Sequence, residues 1–391
     1  MNKSFLKRVI GASALIISVS SVAAPTPQVI PNAPLISAKA YYLIDFDSGR
    51  VLAAQNEQDR LAPASLTKIM TSYIIGHEVK SGNLGLDDTV TISKNAWSRN
   101  FPDSSKMFIE VGKQVKVSDL NRGIMVQSGN DACVAMAEHI AGSEDAFTSL
   151  MNSWAEHLGM ANTRFANSHG LDDDDQYTTA EDLAILAKAM IGNLPEQYAV
   201  YSEKSFTFNG ITQHNRNSLL WDQSLNVDGM KTGHTSNAGY NLVSSATQDE
   251  MRLISIVLGA ASPNARAAES KKLFNWGFRF FETVKPYSAG DSLAQQRIWM
   301  GDQEQVTLGL GEDVAVTIPR GQAENLKASF ELTEELKAPL AQGSTVGKVF
   351  IQLGDEDIAE YPLITLNEVE QGGIFSRLMD YIKMFFANLF G

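Results

Sequence analysis

The sequence has almost no cysteine and no concentrated basic segment, and each absence excludes a class of protein. Its 391 residues include one cysteine, so neither an internal disulfide nor a cysteine-built zinc site can form. Basic residues number 32 against 45 acidic ones, a formal net charge of −13, and no run of lysine or arginine provides a phosphate-binding surface. We therefore expect no nucleic-acid partner. The histidines are not spaced as metal-binding pairs on a helix, and we predict no metal and no other cofactor.

Both ends of the chain carry membrane-related patterns, although neither has the roughly 20 apolar residues that a spanning helix needs. Three basic residues within 1–8 precede an uncharged stretch over 9–22 that ends in small residues, which predicts a secretory signal peptide over 1–24 rather than an uncleaved anchor. Over 374–390 apolar residues recur at helical spacing, with the charges largely on another side. This pattern is typical of a helix that lies in a membrane surface, although packing on its own domain or on a second copy is the alternative.

Residues 25–283 mix helical and strand patterns. The helical signals are Pro63 opening a helix over about 65–79, an N-cap at Ser143, a capping box at Thr178 and Glu181, and a helix near 270–281. The strand signals are hairpins over 40–55 and around Asn209-Gly210, and strands over 227–231, 240–245 and 252–258. These patterns predict an α+β domain with an antiparallel sheet flanked by helices.

The pattern changes near residue 284. Over 284–369 short alternating runs are separated by glycine and acidic turns, which predicts a separate, smaller all-β domain. We expect this domain to act as a spacer between the amphipathic helix over 374–390 and the domain over 25–283.

The first pattern that suggests chemistry is Ser65-Leu66-Thr67-Lys68, at the start of the helix that Pro63 opens. A three-residue step places Ser65 and Lys68 on adjacent turns of one helix face, so the amine can reach the hydroxyl. Serine needs a base to become a good nucleophile, and a partly desolvated lysine with a lowered pKa can be that base. The pattern alone is weak, because Ser4 and Lys7 match it within the predicted signal peptide.

Two further patterns supply a candidate proton relay and a candidate binding site for a carboxylate. Ser128-Gly129-Asn130 precedes an apolar helical stretch, and its hydroxyl and amide are suited to moving a proton and holding a carbonyl. Lys231-Thr232-Gly233, followed by His234, ends a predicted strand. A cation, a hydroxyl and a position without a side chain let a substrate lie along a strand edge with its carboxylate held.

These three patterns in this order are far more specific than any one of them. With them, the chain resembles the low-molecular-mass penicillin-binding proteins, specifically the D-alanyl-D-alanine carboxypeptidases of the bacterial cell envelope. The resemblance extends over nearly the whole chain, from the signal peptide to the C-terminal amphipathic anchor. It implies a penicillin-binding catalytic domain of the serine β-lactamase type over 25–283.

The resemblance also implies a role for each site residue. Ser65 would be the acylated nucleophile and Lys68 its base, while Ser128 would relay protons and Asn130 would bind the substrate amide. The terminal carboxylate of the substrate would bind at Lys231, Thr232 and Gly233, with Arg216 and Arg266 as further contacts. The backbone N–H groups of Ser65 and His234 would form the oxyanion hole. The implied partners are peptidoglycan stem peptides as substrates, β-lactam antibiotics as covalent inhibitors and a membrane surface bound by the C-terminal helix. The implied location is the periplasmic side of the bacterial inner membrane.

Three other functions compete with this interpretation. A serine β-lactamase shares the motifs, but class A enzymes add a glutamate for deacylation, whereas this chain has His169-Gly170-Leu171 followed by the acidic run 172–175. An inactive wall-binding scaffold is disfavoured because the motif residues are intact, and a Ser-His-Asp hydrolase because no Gly-x-Ser-x-Gly elbow is present.

The acidic run lacks calcium-loop spacing and predicts a solvated loop, and Cys133 is expected to be a buried core residue.

Overall fold

The computed structural model describes residues 30–390, with side chains over 30–385, so the predicted signal peptide lies outside the described residues. The chain divides between Phe280 and Phe281 into two compact units. We call Pro31–Phe280 the N-terminal unit and the part from Phe281 onward the C-terminal unit.

The N-terminal unit combines helices with a main antiparallel sheet and two small two-stranded sheets. Its strands are β1 (Ala40–Asp45), β2 (Val51–Gln55), β3 (Thr89–Thr91), β4 (Gln114–Lys116), β5 (Ser205–Phe208), β6 (Ile211–His214), β7 (Asn226–Thr235), β8 (Gly239–Gln248) and β9 (Met251–Ala260). Its α-helices are α1 (Thr67–Lys80), α2 (Val117–Met125), α3 (Asn130–Ala141), α4 (Glu144–Leu158), α5 (Ala180–Asn193), α6 (Pro195–Ala199) and α7 (Pro263–Phe280). Short 3₁₀ helices occupy Ala64–Leu66, Ser98–Asn100, Val200–Ser202 and Ser218–Trp221.

The main sheet has the strand order β2-β1-β9-β8-β7, with every neighbouring pair antiparallel. Helices cover both faces. Gly277 of α7 packs on the side chain of Leu253, whereas the next residue, Ile254, lies in the hydrophobic core that contains Leu183 and Leu186 of α5. Strand β7 lies at one edge of the sheet, so one side of it is open to a ligand.

Helix α1 runs through the interior of this unit. Every residue from Thr67 to Gly76 is buried, the polar Thr67, Lys68, Thr71 and Ser72 as well as the apolar ones. The predicted start at residue 65 is slightly wrong: Ala64–Leu66 form a 3₁₀ turn, in which the amide of Leu66 bonds to the carbonyl of Pro63, and the α-helix begins at Thr67.

Two predicted helix starts are wrong for identifiable reasons. The cap of α5 is Thr179, which accepts from the amide of Asp182, and not Thr178. Thr178 is held in extended conformation because its backbone pairs with Leu61. Helix α7 begins at Pro263 rather than near residue 270, because proline suits the first helical position. The earlier start brings Arg266 into the helix.

Other predictions are confirmed. Ser143 caps α4 by accepting from the amide of Ala146, and the hairpins over 40–55 and at Asn209-Gly210 are present. Asn209 and Gly210 both have positive φ, as a two-residue hairpin turn requires.

The C-terminal unit is all-β apart from a 3₁₀ turn at Ala323–Asn325 and one long helix. Its elements are β10 (Phe281–Tyr287), β11 (Ser292–Arg297), β12 (Gln305–Leu310), β13 (Val314–Pro319), β14 (Leu326–Leu332), β15 (Thr345–Leu353), β16 (Glu356–Thr365) and α8 (Ile374–Phe390). A five-stranded sheet of order β11-β12-β16-β15-β14 and a β10-β13 pair enclose a core that includes Leu308, Val316 and Leu363. The predicted α+β fold with an all-β second domain and a C-terminal helix is confirmed.

Helix α8 contacts its own unit through Asp380, buries Met384 and leaves several other apolar residues exposed. The amide of Met300 donates to Asp380 Oδ2 at 2.8 Å. Phe375 is 85% exposed and Leu378 and Phe385 are also exposed. Among the described residues, no helix combines the length and the apolar character needed to cross a bilayer.

Candidate active site

Ser65 and Lys68 meet where the 3₁₀ turn enters α1. Lys68 Nζ lies 3.0 Å from Ser65 Oγ, as the three-residue spacing predicts. The ammonium end is enclosed, because the first turns of α1 lie in the interior and the whole side chain of Lys68 is buried. A buried amine in contact with a serine hydroxyl is the arrangement that general-base activation needs.

The Lys68 amine has three hydrogen-bond partners, and its burial lowers its pKa. Besides Ser65, the amine contacts Asn130 Oδ1 at 2.7 Å and the carbonyl oxygen of His169. Both of these partners only accept, so either form of the amine can donate to them, and in the neutral form the lone pair is left for the Ser65 hydroxyl. Burial lowers the pKa of Lys68 from 10.5 to about 8, and the charge of Arg216 adds to the lowering.

A second buried lysine lies on β7. Lys231 Nζ donates to Ser128 Oγ at 2.9 Å and to the carbonyl of Thr232 at 3.0 Å. Burial, followed by the nearby charge of Lys68, lowers the pKa of Lys231 well below its ordinary value. Ser128 has a φ of 63°, in the left-handed region that serine rarely adopts, and directly precedes the turn into α3. The backbone there is shaped to direct this hydroxyl between α1 and β7.

Gly233 allows β7 to approach the serine. A Cβ at this position would lie 2.9 Å from the carbonyl oxygen of Pro63 and 3.2 Å from the backbone nitrogen of Ser65. The absence of a side chain therefore brings the Ser65 backbone beside His234, the next residue of the edge strand. Two backbone amides at the same side of a serine are suited to hold a developing oxyanion.

Arg216 and Arg266 add positive charge to this region. Arg216 Nη1 donates to Ser105 Oγ, and Arg266 Nη1 donates to the carbonyl of Gly233 at 3.1 Å. Within the described part of the chain, neither guanidinium forms an ion pair with a carboxylate. Burial, with the charge of Arg216, lowers the pKa of Arg266 to about 10. The site therefore offers cationic groups that lack a counterion and favour an anionic ligand.

The structure brings the predicted residues to one cleft of about 640 Å³. The cleft is lined by Ser65, Ser128, Asn130, Arg216, Thr232, Gly233, His234 and Arg266, and Lys68 and Lys231 reach it from the interior through their bonds to Ser65 and Ser128. Cys133 is buried beside the site, as predicted. In the described residues, no group of three histidine, cysteine or acidic side chains is placed to hold a metal ion.

Several further residues that were not predicted from the sequence shape this cleft. Ser104 and Ser105 line it, and the side-chain Nδ2 of Asn130 donates to Ser104 Oγ at 3.0 Å. The carboxylate of Asp131 holds this segment by accepting from the amides of Met107, Phe108 and Ile109. No motif marks these residues, because their roles arise from contacts between segments that are distant in sequence.

The loop after α4 closes the other side. Lys68 donates to the carbonyl of His169, and a Cβ on Gly170 would overlap the carbonyl of Ala64. Gly170 also has a φ of 91°, which favours glycine. Burial lowers the pKa of His169 to about 3, so its imidazole is neutral and its contribution to the site is the backbone carbonyl.

Comparison with known proteins identifies the family. A family model described as D-alanyl-D-alanine carboxypeptidase (peptidase S11) matches residues 27–262, and one described as penicillin-binding protein 5, C-terminal domain, matches residues 281–371. D-alanyl-D-alanine carboxypeptidase DacC of Escherichia coli is 50% identical over 392 residues, covering 99% of this chain and 98% of the relative.

Solved structures agree with these matches. Penicillin binding protein 5 from Haemophilus influenzae is 51% identical, with a TM-score of 0.85 and coverage of 87% of this chain and 100% of that chain. Penicillin-binding protein D2 from Listeria monocytogenes in its ampicillin-bound form is 30% identical, with a TM-score of 0.57 and coverage of 63% and 99%. The resemblance found from the motifs is confirmed, and the chain belongs to the D-alanyl-D-alanine carboxypeptidase family of penicillin-binding proteins.

Proposed function

We propose that this protein is a serine carboxypeptidase that removes the terminal D-alanine from peptidoglycan stem peptides through an acyl-enzyme on Ser65. The observation that carries the proposal is the environment of the Lys68 amine. It is buried, it lies 3.0 Å from Ser65 Oγ, and its other two partners accept hydrogen bonds and donate none. This environment produces a base next to a nucleophile at neutral pH.

Substrate binding follows from the charges around β7. The terminal carboxylate of the peptide lies against Lys231 and Thr232, with Arg216 and Arg266 as further cationic partners. The peptide then extends along the open edge of β7, with its scissile carbonyl between the backbone amides of Ser65 and His234. The amide of Asn130 contacts the peptide backbone from the opposite side.

Acylation forms one bond and breaks one. Ser65 Oγ bonds to the carbonyl carbon between the last two D-alanines while its proton passes to Lys68 Nζ. The amides of Ser65 and His234 bind the resulting oxyanion. As the C–N bond breaks, the proton held by Lys68 Nζ reaches the leaving amine by way of Ser128 Oγ, which accepts from Lys231 Nζ at 2.9 Å, and Lys68 returns to its neutral form. D-alanine departs and an ester remains on Ser65.

Deacylation repeats these steps with water. Water loses a proton to the neutral Lys68 amine, its oxygen bonds to the ester carbonyl carbon, and the proton returns to Ser65 Oγ as the ester bond breaks. A β-lactam presents a similar carbonyl and acylates the same serine, but its leaving amine stays attached, and hydrolysis of the ester is therefore slow. The ampicillin-bound relative supports this part of the proposal.

The ends of the chain support a location at the outer face of the inner membrane. Residues 1–24 direct export, and α8 inserts its exposed apolar residues, among them Phe375, Leu378 and Phe385, into the membrane surface. The segment over 25–283 is the catalytic domain, and the β-rich segment over 284–369 separates it from this anchor.

The proposal is tested with fluorescent penicillin and a D-alanine-terminated pentapeptide. The Ser65→Ala variant should lose covalent labelling and D-alanine release, and mass spectrometry of the wild-type adduct should map it to the peptide containing Ser65. The matched control is Ser81→Ala, which alters the Lys80-Ser81-Gly82 sequence at the end of α1 and should leave both activities unchanged. Labelling that persists in the Ser65→Ala protein would show that another nucleophile reacts.

A further inference from the structure

Arg216 lies on the loop after β6, between two buried asparagines. Asn215 and Asn217 are buried, whereas the Arg216 side chain is exposed, lines the catalytic cleft and donates to Ser105 Oγ. An arginine side chain has many rotamers, so the place of its guanidinium relative to Lys231 on β7 depends on how firmly the loop backbone is held. The proposed mechanism gives the two asparagines no role.

The side chain of Asn217 connects this loop to β7. Its Nδ2 donates to the carbonyl of Gly229 at 3.0 Å, and its Oδ1 accepts from the amide of Leu219 at 3.2 Å. Both the nitrogen and the oxygen of this buried amide are therefore used. Gly229 lies two residues before Lys231, which is about 7 Å along an extended strand. The bond thus joins the backbone directly after Arg216 to the backbone close to Lys231.

Both ends of this connection are themselves held. The Gly229 carbonyl also accepts from Ser244 Oγ of β8 at 2.9 Å. On the loop, Asn215 Nδ2 donates to the carbonyl of Tyr201 at 3.1 Å, and Asn215 Oδ1 accepts from the amide of Asn217 at 3.0 Å. Loss of the Asn217 bond would therefore leave β7 attached to its sheet and would free only the loop from the strand.

We propose that Asn217 is a positioning residue for substrate binding, because its bond to Gly229 sets the distance between the guanidinium of Arg216 and the ammonium of Lys231. Two cations at a fixed separation bind a carboxylate with a smaller loss of side-chain freedom than a mobile arginine would. Asn217 is fully buried and acts through Arg216. The inference rests on the proposed function, since that function places the terminal carboxylate of the peptide at these two cations.

The test compares two peptides that differ in one group. Both end in a D-alanine pair, and the last residue carries either a free carboxylate or a carboxamide, so that D-alanine or D-alaninamide is released. The wild-type protein should show a kcat/KM about 10- to 100-fold higher for the carboxylate, the range that hydrogen bonds to a charged group supply. Arg216→Ala should lose most of this preference through a higher KM for the carboxylate peptide.

The informative variant is Asn217→Ser. Serine keeps an oxygen that can cap the 3₁₀ turn at Ser218–Trp221, but its side chain is too short to reach Gly229. This variant should lower the carboxylate preference about three- to tenfold, the cost of ordering a free arginine side chain on binding. The change should appear in KM for the carboxylate peptide, with the carboxamide peptide hydrolysed as by the wild type. Added to Arg216→Ala, it should lower the preference no further, because both residues act on one contact.

The matched control is Asn226→Ala, which removes the bond from Asn226 Nδ2 to Thr247 Oγ1 at the first residue of β7 and should retain the wild-type preference. An unchanged preference in Asn217→Ser, or in Arg216→Ala, would overturn the inference. An equal loss of activity on both peptides in Asn217→Ser would also overturn it, since that result assigns the residue to folding alone. A wild-type protein without preference would show that these cations do not hold the carboxylate. Hydrolysis of neither peptide would instead overturn the proposed carboxypeptidase function.

Discussion

The rate at which Ser65 is acylated should follow the deprotonation of Lys68. The base is needed in its neutral form, so the rate rises with pH through the pKa of Lys68 and falls as the pH is lowered. With the pKa lowered from 10.5 to about 8, roughly one tenth of the amine is neutral at pH 7, about 300-fold more than for an ordinary lysine. Well below the midpoint, each pH unit should change the rate about tenfold.

The decisive variant is Lys68→Arg, which keeps a positive charge near Ser65 but cannot act as a base in this pH range. Loss of general-base assistance lowers a rate by roughly 10²- to 10⁴-fold. The second-order rate constant for fluorescent penicillin, measured from about pH 6 to about pH 10, should therefore be low in this variant and should lose its rise near pH 8. Lys80→Arg, at the far end of the same helix, is the control and should retain the wild-type profile.

Two results would refute this reasoning. A wild-type profile that is flat across pH 8 would show that deprotonation of Lys68 does not limit acylation. A Lys68→Arg variant that reacts within about threefold of the wild-type rate would show that a positive charge at this position is sufficient without a base.

Three further predictions concern the support of the site and its location. Gly233→Ala should slow acylation about 100-fold with little change in the melting temperature, because the new Cβ displaces β7 from the Pro63 carbonyl, and an unchanged rate would contradict the close approach. Asp131→Asn should lower the free energy of unfolding by about 2 kcal/mol in urea titrations, since one amide oxygen replaces two carboxylate oxygens that together accept from four backbone amides. Asp59→Asn, at an exposed position of the same unit, is its control. Removal of residues 374–391 should release active protein from membrane fractions, and membrane retention of the truncated protein would refute anchoring by α8.

The motifs were sufficient to locate the cleft because each one couples a reactive side chain to a simple local structure. The Ser65 to Lys68 step needs one helical turn, and Lys231-Thr232-Gly233 needs an edge strand. Both requirements are local, so spacing and pattern predict them. The strand patterns of the all-β unit were predictable for the same reason.

The partners that complete the site were not predictable, because they come from long-range contacts. The carbonyl of His169 accepts from Lys68, yet a backbone carbonyl has no sequence signature. The error at the start of α5 has a similar origin. Local capping preferences favour Thr178 as the N-cap of α5. The long-range β-bridge between Thr178 and Leu61 instead holds Thr178 in an extended conformation outside the helix.

The pKa of the base depends on the composition of α1 as well as on its motif. Ser-x-x-Lys at the start of an amphipathic surface helix would leave the ammonium in water, with a pKa near that of free lysine. Here every residue of α1 from Thr67 to Gly76 is buried, so all sides of this part of the helix lie in the interior of the unit. The same burial that stabilises the fold therefore destabilises the charged form of Lys68. The burial of α1 on all sides, together with the Ser-x-x-Lys spacing, is therefore what gives this site its base.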